Sequence, residues 1–250
     1  SDNGTISKPY KKALIENSIT FEEEKHTEDL ILNADEVIKS PGIPDKSPVI
    51  RKLLKEAIPV ISEIEFASYF TNARFIAVTG SNGKTTTTLL IHYLCKQAGL
   101  NVCLAGNVGN SLCRQVYYEE VSHHPSSINH QPSYYIVELS SFQLDGIQDF
   151  KPDIAVLLNI TPDHLDRYAN FDNYIESKFR IIKNMTEDDY LIYWAEDDII
   201  AKEISGRTIK PFKLPVSLNR KQSAQSKAPS LFGVQRYTPS SRGKRDGKVP

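Results

Sequence analysis

The sequence predicts an α/β fold built on a mostly parallel sheet and divided into two units. Three observations lead there. Short apolar runs recur from Asn72 onward, stretches of helical period lie between them, and one run ends in a glycine-edged turn that opens a helix. Strands that are apolar throughout are those covered by helices on both faces. Strict strand–helix alternation implies crossover connections, and hence parallel pairing.

Residues 5–70 read as β/α material. A polar helical stretch over 8–17 is followed by a strand at 35–39, the turn Ser40-Pro41-Gly42-Ile43-Pro44, a helix near 49–57 and a strand at 59–61. Residues 1–4 read as the end of a strand already in progress, and a chain opening on Ser1 reads as a piece of a longer protein. Residues 1–70 are too short for a whole nucleotide-binding domain, so they are expected to form a partial Rossmann-like N-terminal domain. Residues 71–250 are expected to form the central domain. Its strands are expected at 75–79, 102–105, 134–139, 154–160 and 190–194, and its clearest helices at 84–98 and 171–184. Ligands of such sheets gather beyond the C-terminal strand ends, where Gly80, Gly106, Glu138 and Asn159 fall.

Composition sets the class. With 40% hydrophobic and 24% charged residues the chain is an ordinary globular protein, and no apolar run reaches the length of a membrane span. Cys95, Cys103 and Cys113 are odd in number and lack metal-ligand spacing, so they read as buried thiols of a reducing compartment, with a cytoplasmic setting expected. The net charge of −1 hides an asymmetry, since eleven Lys+Arg stand against a single Asp from Gly206 onward. That tail lacks the interleaved aromatics of a nucleic-acid surface, so it reads as a solvated, poorly ordered end. Neither nucleic acid nor a membrane is an expected partner.

The glycine-edged turn carries the chemistry. In Val78-Thr79-Gly80-Ser81-Asn82-Gly83-Lys84-Thr85-Thr86 a strand runs into a glycine turn and then a helix, a layout that aims backbone N–H groups and a helix N-terminus at phosphate oxygens. Lys84 supplies charge and the Thr85 hydroxyl can ligate magnesium. The match is to the shorter form GxxGK[ST], because the longer motif asks for glycine where this chain has Val78. A glycine turn with an incidental lysine is the bland alternative. Glu138 closes an apolar strand, where a carboxylate needs a cation. Magnesium on the β- and γ-phosphates is the natural one, and capping of the next helix is the alternative. The run Asn159-Ile160-Thr161-Pro162-Asp163-His164-Leu165-Asp166-Arg167 is dense in ligand-capable groups, and His164 between two aspartates reads as a metal or phosphate ligand. By spacing alone Lys178 is a surface lysine on an amphipathic helix. His123, His124 and His130 read as solvated loop residues of the polar stretch 122–133, and His92 as packing or surface.

Taken together, the segments 79–87, Gly106-Asn107-Val108-Gly109, 138–144, 159–168 and Lys178-Phe179-Arg180 resemble the Mur ligase family of ATP-dependent amide-bond-forming enzymes of peptidoglycan synthesis. Ser40–Pro44 is similar to the end of that family's N-terminal domain. The 106–109 and 138–144 segments resemble the branch that joins D-glutamate to UDP-N-acetylmuramoyl-L-alanine. The resemblance implies a cytoplasmic, monomeric ligase that uses ATP, two magnesium ions and an acyl-phosphate intermediate. It implies that Gly80, Ser81, Asn82, Gly83, Lys84, Thr85 and Thr86 hold the nucleotide, and that Lys84, His164 and Lys178 are catalytic. Thr85 and Glu138 would hold one metal ion. His164 would help hold the second with Lys178, which aligns with the family lysine that carries a carbamate. Asn107, Ser140 and His164 would face the UDP-sugar, with Asp2 and Gly42 near the uridine diphosphate. The family's first strand and its third domain have no counterpart here, so this piece alone is expected to be inactive. A P-loop kinase or phosphotransferase, or an inactive nucleotide-binding module with a basic interaction tail, are the rival readings.

Overall fold

The computed structural model describes residues 1–2, 4–121 and 134–218. The first unit comprises α1 (Lys8–Glu16), α2 (Glu28–Leu32), β1 (Val37–Ile38), α3 (Pro48–Lys55) and β2 (Val60–Ile61). Strands β1 and β2 pair in parallel across α3, a βαβ unit. Helix α3 opens on Ser47 and Pro48, a residue pre-set for a first helical turn, and buries Ile50 and Leu53. Ser1 and Asp2 are not in a strand, contrary to the sequence reading. Backbone hydrogen bonds instead tie Asp2 to Glu22 and Lys25.

The second unit is a six-stranded, wholly parallel sheet ordered β4-β5-β3-β6-β7-β8. Its strands are β3 (Arg74–Thr79), β4 (Val102–Gly106), β5 (Tyr134–Glu138), β6 (Ile154–Leu157), β7 (Tyr190–Trp194) and β8 (Phe212–Val216). The helices between are α5 (Lys84–Gln97), α6 (Leu112–Val121), α7 (Ser141–Asp145), α8 (Phe171–Phe179) and α9 (Asp198–Gly206). One sheet face packs Ile76, Val78, Ile136 and Val156 against α5 residues including Ile91 and Cys95. The other packs Ala77, Tyr135, Val137, Ala155 and Leu157 into the larger core with Leu112, Tyr174 and Phe179. Both faces are covered around β3, which is why these strands read as unbroken apolar runs.

Three differences from the sequence reading have physical causes. Strand β8 lies in the stretch read as a solvated tail; Lys213 and Pro215 mask it, yet proline is tolerated because β8 is the sheet edge. Residues 122–133 and 219–250, with the loop histidines 123, 124 and 130 and most of the basic tail, lie outside the described residues. Helix α4 (Glu63–Ser68) falls before residue 70 but sends Ile64 and Ala67 into the central core. The fully buried Glu65 carboxylate accepts three successive backbone N–H groups, from Gln148, Asp149 and Phe150 at 2.8–2.9 Å. This helix therefore fastens the first unit to the second.

The strand order reverses at β3: the chain places β4 and β5 on one side of it and then crosses to β6 on the other. The crevice beyond the C-terminal ends of β5, β3 and β6 is where such a fold gathers ligands.

Candidate active site

Each strand flanking this crevice delivers one part of the site. After β3 the chain turns through Gly80 and Gly83, both at positive φ (152° and 79°), and Gly83 caps α5. Ser81 N–H donates to Asn159 O at 2.9 Å and Asn82 N–H to Asn159 Oδ1 at 2.8 Å, while Asn159 Nδ2 returns a bond to Asn82 O at 3.0 Å. The turn is thus pinned to the end of β6. Ser81 and Asn82 spend their backbone N–H groups on that closure. Helix geometry leaves the N–H groups of Gly83, Lys84, Thr85 and Thr86 without intrahelical partners, and these are the donors available to an anion. The Thr85 and Thr86 residues are exposed.

Two lysines converge on one carbonyl. Lys84 Nζ donates to Gly80 O and Ser81 O, each at 2.9 Å, and Lys178 Nζ donates to the same Gly80 O at 2.9 Å. Lys178 is 2% exposed, so the reading of it as a surface residue was wrong. The buried face of α8 carries Ile175 and Phe179 and extends around to Lys178, whose nitrogen also lies over the Tyr174 ring at 5.1 Å. Burial, followed by the charge of Lys84, pushes the Lys178 ammonium down to about 7 against the pull of Asp163, Asp145 and Glu138. A large share of this amine is neutral near pH 7, a state rare for an exposed lysine.

Glu138 ends β5 and is 1% exposed. Its Oε1 accepts Asn107 Nδ2 at 2.8 Å, which couples the residue after β4 to the end of β5. Its Oε2 is buried with no hydrogen-bond partner among the described residues. The capping alternative fails, because α7 is capped by Ser140. Ser140 Oγ accepts Gln143 N–H at 3.3 Å, and Gln143 Oε1 accepts Ser140 N–H at 2.9 Å. That cap occupies the hydroxyl proposed for substrate. A buried, unpartnered carboxylate oxygen fits a hard cation, and so does the exposed Thr85 hydroxyl. Among the described residues no three His, Cys, Asp or Glu side chains form a ready-made metal cluster.

His164 follows β6 in a left-handed conformation (φ 53°), with its ring 5.0 Å from Phe142 and its side chain half exposed. Three residues on, the Arg167 guanidinium covers Phe142 at 4.5 Å and reaches Pro41 O at 3.4 Å. Asp2 and Gly42 line a separate cavity of about 870 Å³ in the first unit, together with Val37–Ser40 and Ile50. Lys39 and Pro44 line both this cavity and a smaller one reaching Phe142 and Arg167. Asp2 and Gly42 line the first of these cavities, and none of the predicted residues of the β5, β3 and β6 ends lines either one. Tyr174 and Phe142 went unnoticed in the sequence. The signal for Tyr174 was its place four residues before Lys178, one helical turn away on the same face.

A family model described as Mur ligase middle domain matches residues 78–237, and one described as MurD N-terminal domain matches residues 1–49. The UDP-N-acetylmuramoylalanine–D-glutamate ligase of Bacteroides thetaiotaomicron is 52% identical over 225 residues, covering 90% of this chain and 48% of that protein. The Porphyromonas gingivalis ligase of the same name is 53% identical over 207 residues, covering 82% of this chain and 43% of its own length. The chain spans about half the length of the curated relatives it matches. In fold it is similar to UDP-N-acetylmuramate:L-alanyl-gamma-D-glutamyl-meso-diaminopimelate ligase from Neisseria meningitides, with a TM-score of 0.56, 17% identity, and coverage of 86% of this chain and 68% of that one. The central-domain match takes in the phosphate turn, the strand ending in Glu138, the His164 loop and Lys178 alike, and by it this chain belongs to the Mur ligase family.

Proposed function

We propose that this chain holds ATP on the Gly80–Thr86 turn and serves a ligase that joins D-glutamate to UDP-N-acetylmuramoyl-L-alanine, a cytoplasmic step of peptidoglycan precursor synthesis. The observation that carries the reading is the meeting of two lysines on Gly80 O beside a buried glutamate whose second oxygen has no partner. The relatives' names supply the substrate pair for those proteins.

The alanyl carboxylate attacks the γ-phosphorus of ATP, ADP leaves, and an acyl phosphate forms. The amine of D-glutamate then adds to the acyl carbon, loses a proton, and phosphate departs. Such chemistry needs positioning and charge neutralisation more than covalent help. Lys84 and the first-turn N–H groups of α5 bind the β- and γ-phosphates. Thr85 and Glu138 would hold one magnesium ion, with His164 and a carbamate on Lys178 holding the second. Magnesium, when bound, offsets charge on the transferring phosphoryl group. The neutral fraction of the Lys178 amine can add carbon dioxide and lose a proton, turning a cation into an anionic oxygen ligand. Asn107 orients Glu138 through Oε1 and leaves Oε2 for the metal. His164, seated on Phe142, faces the UDP-sugar end, while Asp2 and Gly42 line the cavity suited to uridine diphosphate.

The test is phosphate release from ATP by the whole protein with each substrate omitted in turn. The ligase reading expects release only when both D-glutamate and UDP-N-acetylmuramoyl-L-alanine are present. Phosphate transfer to a hydroxyl would instead identify a kinase, and ATP binding without turnover a nucleotide-binding module. Lys178→Ala should abolish ligation, and added bicarbonate should not restore it; full activity in that variant removes the lysine from the mechanism.

A further inference from the structure

The Ser81 hydroxyl has one hydrogen to give and two lone pairs to fill. It lies 3.0 Å from Thr161 O, receives Thr161 N–H at 2.9 Å, and lies 3.0 Å from the Tyr174 hydroxyl. Thr161 O can only accept, so the hydrogen of Ser81 goes there, and Tyr174 must be the donor of the third contact. Every bonding position of Ser81 is then used. Tyr174 is fully buried, and one turn further along α8 its ring supports the Lys178 nitrogen at 5.1 Å. Thr161 leads to His164, and Ser81 O itself accepts Lys84 Nζ at 2.9 Å. A single tyrosine therefore touches the phosphate turn, braces the strand-end loop that carries His164, and packs under Lys178.

We infer that Tyr174 is a positioning residue for the nucleotide: its hydroxyl, acting through Ser81, fixes the phosphate turn against the 159–164 loop so that Lys84 and the first turn of α5 are held in register with the His164 side of the site. The inference rests on the ATP reading of the turn. A tyrosine that merely filled the core would act through its ring, and Tyr174→Phe keeps the ring.

The test is a double-mutant cycle on the full-length protein with Tyr174→Phe and Ser81→Ala, reading KM for ATP, KM for D-glutamate and thermal unfolding. Loss of one net hydrogen bond at the node should raise the KM for ATP about two- to tenfold. The KM for D-glutamate should stay within about twofold, and the effect of Tyr174→Phe should vanish when Ser81 is already alanine. An ATP KM unchanged in Tyr174→Phe, or full additivity with Ser81→Ala, overturns the inference. Should Tyr174→Phe unfold, Ser81→Ala alone must raise the same KM, and an unchanged value overturns the inference equally. A wild-type protein without ATP turnover would sink the ligase reading and this inference with it; normal turnover with an additive cycle sinks this inference alone.

Discussion

Lys178 shows how far a residue's chemistry depends on what covers it. Buried beside Lys84, its ammonium is held down to about 7 from an ordinary 10.5. Between those two values the unfolded chain binds a proton that the native chain lacks, so this group makes stability rise with pH across that window and adds nothing to the slope below it. Urea unfolding at about pH 6 and about pH 9, in bicarbonate-free buffer, should show a larger gain for the native protein than for Lys178→Met. Equal gains would mean the lysine titrates normally. Glu138 makes the complementary case. Glu138→Gln keeps an acceptor for Asn107 but removes the charge, and should weaken magnesium binding about tenfold or more with the fold intact, as magnesium titration would show. A hydrophobicity pattern cannot distinguish a lysine at the edge of a buried face from one at the edge of an exposed face. Lys178 was therefore legible only through the family resemblance, whereas Glu138, at the end of an apolar run, was legible from its own surroundings.

At the scale of elements, the crevice depends on how closely two strand ends approach. Gly106, the last residue of β4 at φ 99°, has no room for a side chain, because a Cβ there would lie 2.4 Å from the Glu138 carbonyl oxygen. Gly106→Ala should cost about 1–3 kcal/mol in backbone strain alone and should displace Glu138, lowering thermal stability and magnesium affinity together. Helix α4 is fastened as firmly. Glu65→Ala would strip the acceptor from three buried N–H groups and should destabilise by about 3–5 kcal/mol in denaturant titration. The central strands β3, β5, β6 and β7 were legible because each is apolar on both faces. Strand β8 was not, since an edge strand can carry Lys213 and Pro215 and look like tail. The role of α4 was hidden too, because it lies in the backbone donors of a loop more than 80 residues away, which no local pattern encodes.

Across the whole molecule, the parallel sheet brings segments distant in sequence to one crevice: the turn at Gly80–Thr86, the strand end at Glu138, the loop with His164 and the helix with Lys178. Motif order along the chain already pointed to this convergence, but the hydrogen-bonded closure that ties Ser81 and Asn82 to Asn159 and Thr161 is a property of the fold. The first unit meets the second through Arg167, which donates to Pro41 O and covers the Phe142 ring. The central claim is that Lys84 and Glu138 act on one metal-bound nucleotide. Its most direct test is manganese binding followed by electron paramagnetic resonance in the presence of an ATP analogue, with the native protein, Lys84→Met and Glu138→Gln. The account predicts a nucleotide-dependent manganese signal in the native protein that either substitution weakens about tenfold or more. A Glu138→Gln protein that binds the manganese–nucleotide complex as tightly as the native one would contradict it.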